Sequence, residues 1–276
     1  MRQVIITIAA VILTAGTICE VARGKTIYVD ADAAGPNTGT TWADAYKFLQ
    51  DALTAANSSE KPVEIRVAQG IYQPDRSAAE PNGTRDTYAT FQLISGVTLK
   101  GGYAGFGQPD PNARDIELYE TILSGDLKSN DADVANPEDL LREGTRSDNS
   151  QRVIEAWETD GSAVLDGFTV TGGNNPVVCK YAPCAPAGGL RIVRASPTIQ
   201  RCTFTANAAG TGGASAATEK AIRASLIASS RETTRVMEAQ SPGEPLLCKA
   251  AVSWGIALGG QEQWDGATGP SSNLSS

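Results

Sequence analysis

The chain contains no histidine, and that absence removes the side chain that most often serves as general base and as metal ligand near neutral pH. Basic charge is short as well: 23 Lys and Arg stand against 31 Asp and Glu, a net charge of −8. A surface of that sign repels nucleic acids and anionic membranes, so neither is expected as a partner. Aromatic residues make up only 6% of the 276. No apolar run is long enough to span a bilayer, since the longest, Val4 to Ile18, has fifteen residues where about 20 are needed. What the chain has in quantity is glycine, with 28 residues, which points to many backbone corners.

The Val4–Ile18 run follows Arg2, and a charged start before a short apolar stretch reads as an export signal over residues 1–24. Cys19 offers a lipid-attachment reading, against which stands the bulky Ile18 just before it. The expected location is therefore secreted or cell surface, with no transmembrane segment in the mature chain. Cys179 and Cys184 flank Lys-Tyr-Ala-Pro in a loop; in an oxidising compartment they close a small ring, and two free thiols are the alternative. Neither a C-x-x-C pair nor a histidine is present, so no zinc site is expected.

Lys25 to Asp32 alternates apolar and polar residues, as a half-buried strand does. Thr41 and Asp44 have the spacing of a capping box, and Trp42, Ala45, Leu49, Ala52, Leu53 and Ala56 recur three or four apart, which predicts one amphipathic helix from Thr41 to Asn57. Short strands are then expected at Glu64–Ala68, Thr90–Leu93, Gly96–Leu99, Thr121–Ser124, Val153–Ala156, Ala163–Leu165, Gly167–Val170, Leu190–Val193 and Pro197–Thr205. Two of them carry nearly the same heptapeptide, GVTLKGG at 96–102 and GFTVTGG at 167–173, which matches Val97 and Leu99 to Phe168 and Val170. Gly188-Gly189-Leu190 opens a looser third version. Strand followed by glycine corner, at irregular intervals, is the signature of an all-β solenoid whose inward rows bury against the turns above and below. An antiparallel sandwich would instead show Asn-Gly or Asp-Gly hairpins at regular spacing. Gln73–Asp86 and Asp126–Ser150 are expected as insertions hanging from the stack.

The segments IYVDADAAGPNTGTTWADAYKFLQDAL, EIRVAQGIYQPD, TFQLISGVTLKGGYAGFG, RDIELYETILSGDL, AVLDGFTVTGGN and GGLRIVRASPTIQRCTFTAN together resemble bacterial secreted proteins built as right-handed parallel β-helices. These are pectin-lyase-like in fold and have repeats akin to those of polymorphic outer membrane proteins. The resemblance covers residues 25–210 and implies a right-handed parallel β-helix capped at its N-terminal end by the Thr41–Asn57 helix. It implies a location more than a reaction, because most such proteins have no assigned catalytic activity. The expected role is a non-catalytic interaction or structural module, adhesin-like or carbohydrate-binding, with polysaccharide or cell-surface components as partners. Two other readings stay open: a polysaccharide lyase or glycoside hydrolase, and a truncated fragment without activity.

From Ala214 onward the composition changes, with no Phe or Tyr and only one Asp, Asp265, and one Asn, Asn273. Residues 211–276 are expected as a helical or disordered tail outside the repeat. A one-base slip of the reading frame near Gly210–Gly213 is a second account, since codons read one base out of frame let Gly213-Ala214-Ser215 become Gly-Gly-Leu and Ala228–Ser230 become Cys-x-Phe. The organisation expected is thus 1–24 signal, 25–210 β-helix, 211–276 atypical tail.

Enzymes of the resembled fold use carboxylates that hold Ca²⁺ with an Arg or Lys base, or several Asp on neighbouring turns. Asp166, between inward Leu165 and Gly167, is the candidate acid, expected to point outward; a solvated residue of an Asp-Gly corner is the alternative. Arg191 is the basic candidate, and with Arg152 and Arg201 it reads equally as a surface charge. Asp126, Asp131 and Asp133, with Asn130, are the candidates for Ca²⁺, against a solvated acidic insertion; no other cofactor is expected. Tyr72, Tyr88, Tyr103, Trp157 and Tyr181 stack on sugars if exposed and otherwise pack under loops. Two or three carboxylates and a base converging on one outer groove would favour the enzyme.

Overall fold

The computed structural model describes residues 24–136, 139–177 and 186–210, together with the backbone of residues 215–216, 222–227 and 256–259. The chain runs in successive circuits. The first holds β1 (Lys25–Val29) and α1 (Leu49–Asn57). The second holds β2 (Val63–Ala68), β3 (Gly70–Tyr72) and β4 (Phe91–Gln92). The third holds β5 (Val97–Tyr103), β6 (Thr121–Ser124) and β7 (Ile154–Trp157). The fourth holds β8 (Val164–Asp166), β9 (Thr169–Thr171), β10 (Asn174–Asn175) and β11 (Leu190–Val193). The fifth holds β12 (Thr198–Phe204) and β13 (Ala208–Gly210). Strands of successive circuits pair in parallel and form columns: β1-β2-β5-β8-β12, β3-β6-β9-β12 and β4-β7-β11. The result is a curled, mostly parallel sheet of β-helix-like character, and among the described residues no helix is long and apolar enough to cross a membrane.

Register turns the alternating pattern into ladders. Ile27, Ile65, Leu99, Leu165 and Ile199 stand one over another in the first column, each nearly or fully inaccessible. Tyr72, Leu123, Val170 and Phe204 do the same in the second, and Phe91, Ile154 and Leu190 in the third. Each large side chain so buried stabilises by roughly 1.5–3 kcal/mol. The outward positions between them are polar in the first column, where Arg66, Lys100, Asp166 and Gln200 form one row. Buried Cys202 packs inward beside this core, and burial pushes its thiol up to about 11, so it behaves as an inert apolar group.

The two heptapeptides do not occupy equivalent places. Val97 and Leu99 lie in the first column, with Leu99 over Leu165, whereas Phe168 and Val170 precede or lie within β9 in the second, with Val170 between Leu123 and Phe204. All four are buried, but the letters repeat because strand-then-glycine is written at more than one corner of each circuit. Gly102 adopts φ +86°, which turns the chain after the first column. Gly173 is needed for space, since a Cβ there would lie 1.9 Å from the Gly188 carbonyl oxygen.

The helix is shorter than its periodicity predicts, beginning at Leu49 rather than Thr41. The Thr41 hydroxyl does accept the Asp44 N–H at 3.1 Å, but the box closes a turn. The following residues are drawn to the free edge of β1, where Tyr46 N–H donates to Tyr28 O at 2.9 Å and Asp30 N–H to Tyr46 O at 2.8 Å. Tertiary pairing outweighs helical periodicity there. The α1 face of Leu49, Ala52, Leu53 and Ala56 then covers the core, and Gln50 donates to the Pro74 and Thr90 carbonyls.

Beyond residue 210 the described backbone is strand, where a helix or disorder was expected: β14 (Ser215–Ala216), β15 (Ile222–Ile227) and β16 (Ile256–Gly259). β14 and β15 run antiparallel to β13 and β12, and β16 is parallel to β11.

Candidate functional site

The outward face of the first column gathers most of the chemistry. Glu64 and Arg66 are alternate residues of β2, so both point away from the core, and the neighbouring strand sets Lys100 beside Arg66. Arg66 Nε lies 2.7 Å from Glu64 Oε1, and Lys100 Nζ pairs with the other oxygen of the same carboxylate. Beneath the guanidinium of Arg66 lie the rings of Tyr28 and Tyr103, at 5.9 and 5.5 Å from their centroids. Trp42 packs edge-on against Tyr28 and at a tilt against Tyr103, and donates from Nε1 to Asn112 Oδ1 at 3.0 Å, which also accepts from Arg66. A cation held on aromatic faces keeps its position with little rotamer freedom.

Asp166 lies farther along this face and is not solvated. Its side chain is 1% exposed, because Arg201 and Arg114 close over it. Arg201 Nε donates to Oδ1 at 2.7 Å while its NH2 group meets Oδ2, a bidentate pair. Arg114 approaches Oδ2 at 3.1 Å and donates from Nε to the Gly101 carbonyl at 2.8 Å. Arg201 adopts φ 52°, and this left-handed residue lies where β12 passes from pairing with β8 in the first column to pairing with β9 in the second. Asp166 takes the outward position expected of it, and the alternative of a solvated Asp-Gly corner residue is corrected. The residue that covers this carboxylate beside Arg201 is Arg114, which opens the segment RDIELYETILSGDL and carries no periodic signal of its role.

The pairings shift the ionisation of their members. Burial alone would raise Glu64, but the hydrogen bonds and charges of Lys100 and Arg66 outweigh it and hold the carboxyl below its ordinary value. Arg201 is raised by its hydrogen bond to Asp166. A lowered Glu64 contributes stability that is fully present above the ordinary carboxylate range and is lost as pH falls through its depressed value. Denaturation midpoints measured from pH 7 to 3 should accordingly fall less steeply in Glu64→Gln than in the parent chain.

On the third column Arg191 donates to Glu155 at 2.7 Å, with Arg152 3.5 Å from the same oxygen. Arg191 thus sits in an ion pair on a different column from Asp166, and the structure does not bring the two candidates together. The acidic insertion does not gather its three candidates either. Asp126 accepts the backbone N–H groups of Asn130 and Asp131, Asp133 is exposed, and Asp131 receives Arg146 at 2.6 Å and Asn149 at 2.9 Å. Arg146 supplies the positive charge there, and among the described residues no three acidic or cysteine groups lie together as metal ligands do. Burial raises Asp131 and lowers Arg146 from their ordinary values. Tyr72 and Tyr103 are buried while Tyr88 and Trp157 are exposed. Cys179, Cys184 and Tyr181 lie outside the described residues.

No family model matches the chain, and no curated protein matches it. A solved structure, that of a rhamnogalacturonan lyase, is similar with 14% identity and a TM-score of 0.36, over 69% of this chain and 44% of its own. The chain spans less than half the length of that protein.

Proposed function

We propose that the stack is a right-handed parallel β-helix of an exported protein, and that it is a non-catalytic module whose first-column face holds an acidic polysaccharide. The observation that supports this is the pairing of three outward carboxylates with two cations apiece: Glu64 with Arg66 and Lys100, Asp166 with Arg114 and Arg201, Glu155 with Arg152 and Arg191. Carboxylates so occupied are poor general acids or bases. Glu64 and Asp166 are also two strands apart and two residues out of register, so they do not face each other across one glycosidic bond. Cations outnumber anions on this face although the chain as a whole is acidic. A carboxylate-bearing polymer lying along the column meets Arg66, Lys100 and Arg201 in turn, and strands about 4.8 Å apart set the pitch of the row. The export reading rests on Arg2 and the Val4–Ile18 run.

The test is binding of polygalacturonate by calorimetry at two salt concentrations. The parent chain should bind, more weakly at high salt, and the Arg66→Gln, Lys100→Gln pair should bind about tenfold more weakly with a flatter salt dependence. Release of new reducing ends or of unsaturated products from the polymer would replace this reading with the enzymatic one.

A further inference from the structure

We propose a second carbohydrate contact: Trp157 is a stacking platform for a pyranose ring, on the third column rather than the first. This inference shares with the preceding one the premise that a polysaccharide is bound. Trp157 ends β7, whose inward neighbours Ile154 and Ala156 are fully buried, yet the residue itself is 42% exposed. Its backbone is fixed on the β11 side, where it pairs with Val193. The guanidinium groups of Arg191 and Arg194 lie 5.8 and 5.0 Å from the ring centroid, and both come from β11 or the corner that follows it. Glu155 anchors Arg191 and Glu158 anchors Arg194. Both members of the outer pair are more than half exposed, Glu158 at 57% and Arg194 at 64%.

This arrangement fits a sugar ring in two respects. One face of a pyranose is a plane of C–H groups, which the solvent-exposed part of the indole matches, and its rim carries hydroxyls, which Glu158 and the Arg194 guanidinium over the ring can bind. Arg191, paired with the largely covered Glu155, is the charged residue already oriented before binding. Other aromatics among the described residues lack one property or another, Phe106 being exposed but outside any strand. Tyr72, Tyr103 and Trp42 are buried, and Tyr88, although 62% exposed, belongs to the segment between β3 and β4 rather than to a strand.

The experiment compares the parent chain, Trp157→Ala, Trp157→Phe and the Arg66→Gln, Lys100→Gln pair against cellohexaose and hexagalacturonate, by calorimetry and by acrylamide quenching of tryptophan fluorescence. Matching thermal melts establish that each variant is folded. Trp157→Ala should weaken binding of the hexasaccharide that the parent holds by about tenfold, with Trp157→Phe intermediate, and ligand should protect the parent from quenching. A neutral sugar should be insensitive to the Arg66 and Lys100 changes. If Trp157→Ala binds as the parent does while the charge variant weakens, the platform is overturned and the first-column reading stands. If only Trp157→Ala weakens binding of hexagalacturonate, the first-column reading falls and the platform stands. If the parent binds neither hexasaccharide, both are overturned.

Discussion

Replacing Arg146 by alanine should lower unfolding free energy by about 3–5 kcal/mol, the range for breaking a buried ion pair by removing one partner. Its side chain is 3% exposed and joins three parts of the chain: NH1 meets Asp131 at 2.6 Å, and NH2 donates to the Ala206 carbonyl at 2.7 Å and to the Gly173 carbonyl at 3.5 Å. Its own carbonyl accepts from Asn174 at 3.0 Å. Without the guanidinium, Asp131 remains as a half-buried charge with no cation on it. Asp131 already has its folded value raised, by burial first, so protonating it favours the folded state as pH falls through that value. The deficit of Arg146→Ala should therefore shrink in acid. Urea denaturation at pH 7 and at pH 4 checks both statements, and a loss under 1 kcal/mol at pH 7 would show that the insertion does not depend on this contact.

Leu165→Ala should cost about 2–5 kcal/mol by a different route, through a cavity in the middle of a ladder. Leu165 is fully inaccessible, stands between Leu99 and Ile199, and lies at a level where the stack has rungs on both sides to hold the cavity open. Ile71→Ala is the matched control, because Ile71 points outward at 63% exposure, and a change within about 0.5 kcal/mol is expected. Equal losses for the two would contradict the assignment of inward and outward rows.

The strands were legible because alternation of buried and exposed residues is written directly in stretches such as EIRVA and TILS, and Thr121–Ser124 and Leu190–Val193 fall where their patterns put them. Which strand lies over which was not, since similarity of letters paired GVTLKGG with GFTVTGG while the chain pairs Leu99 with Leu165. Alternation fixes which face a side chain takes, and only the lengths of the intervening loops fix the column. The same limit applied to the candidate site. Glu64, Arg66 and Lys100 are readable as outward residues, but their convergence on one carboxylate depends on register between strands. Arg114 comes from the segment between β5 and β6, without periodicity, and so Asp166 looked free. Gly70–Tyr72 and Asn174–Asn175 escaped notice as strands because two or three residues are too few to show a period.

The helical lid also has a direction. With α1 seated on the core and residues 39–46 bonded along the edge of β1, the beginning of the array is closed to any further winding. Lengthening by duplication of a coding unit can then succeed between existing circuits, but not ahead of the first. Descendants of different heights would be expected to share their opening circuit and to differ in how many units come after it.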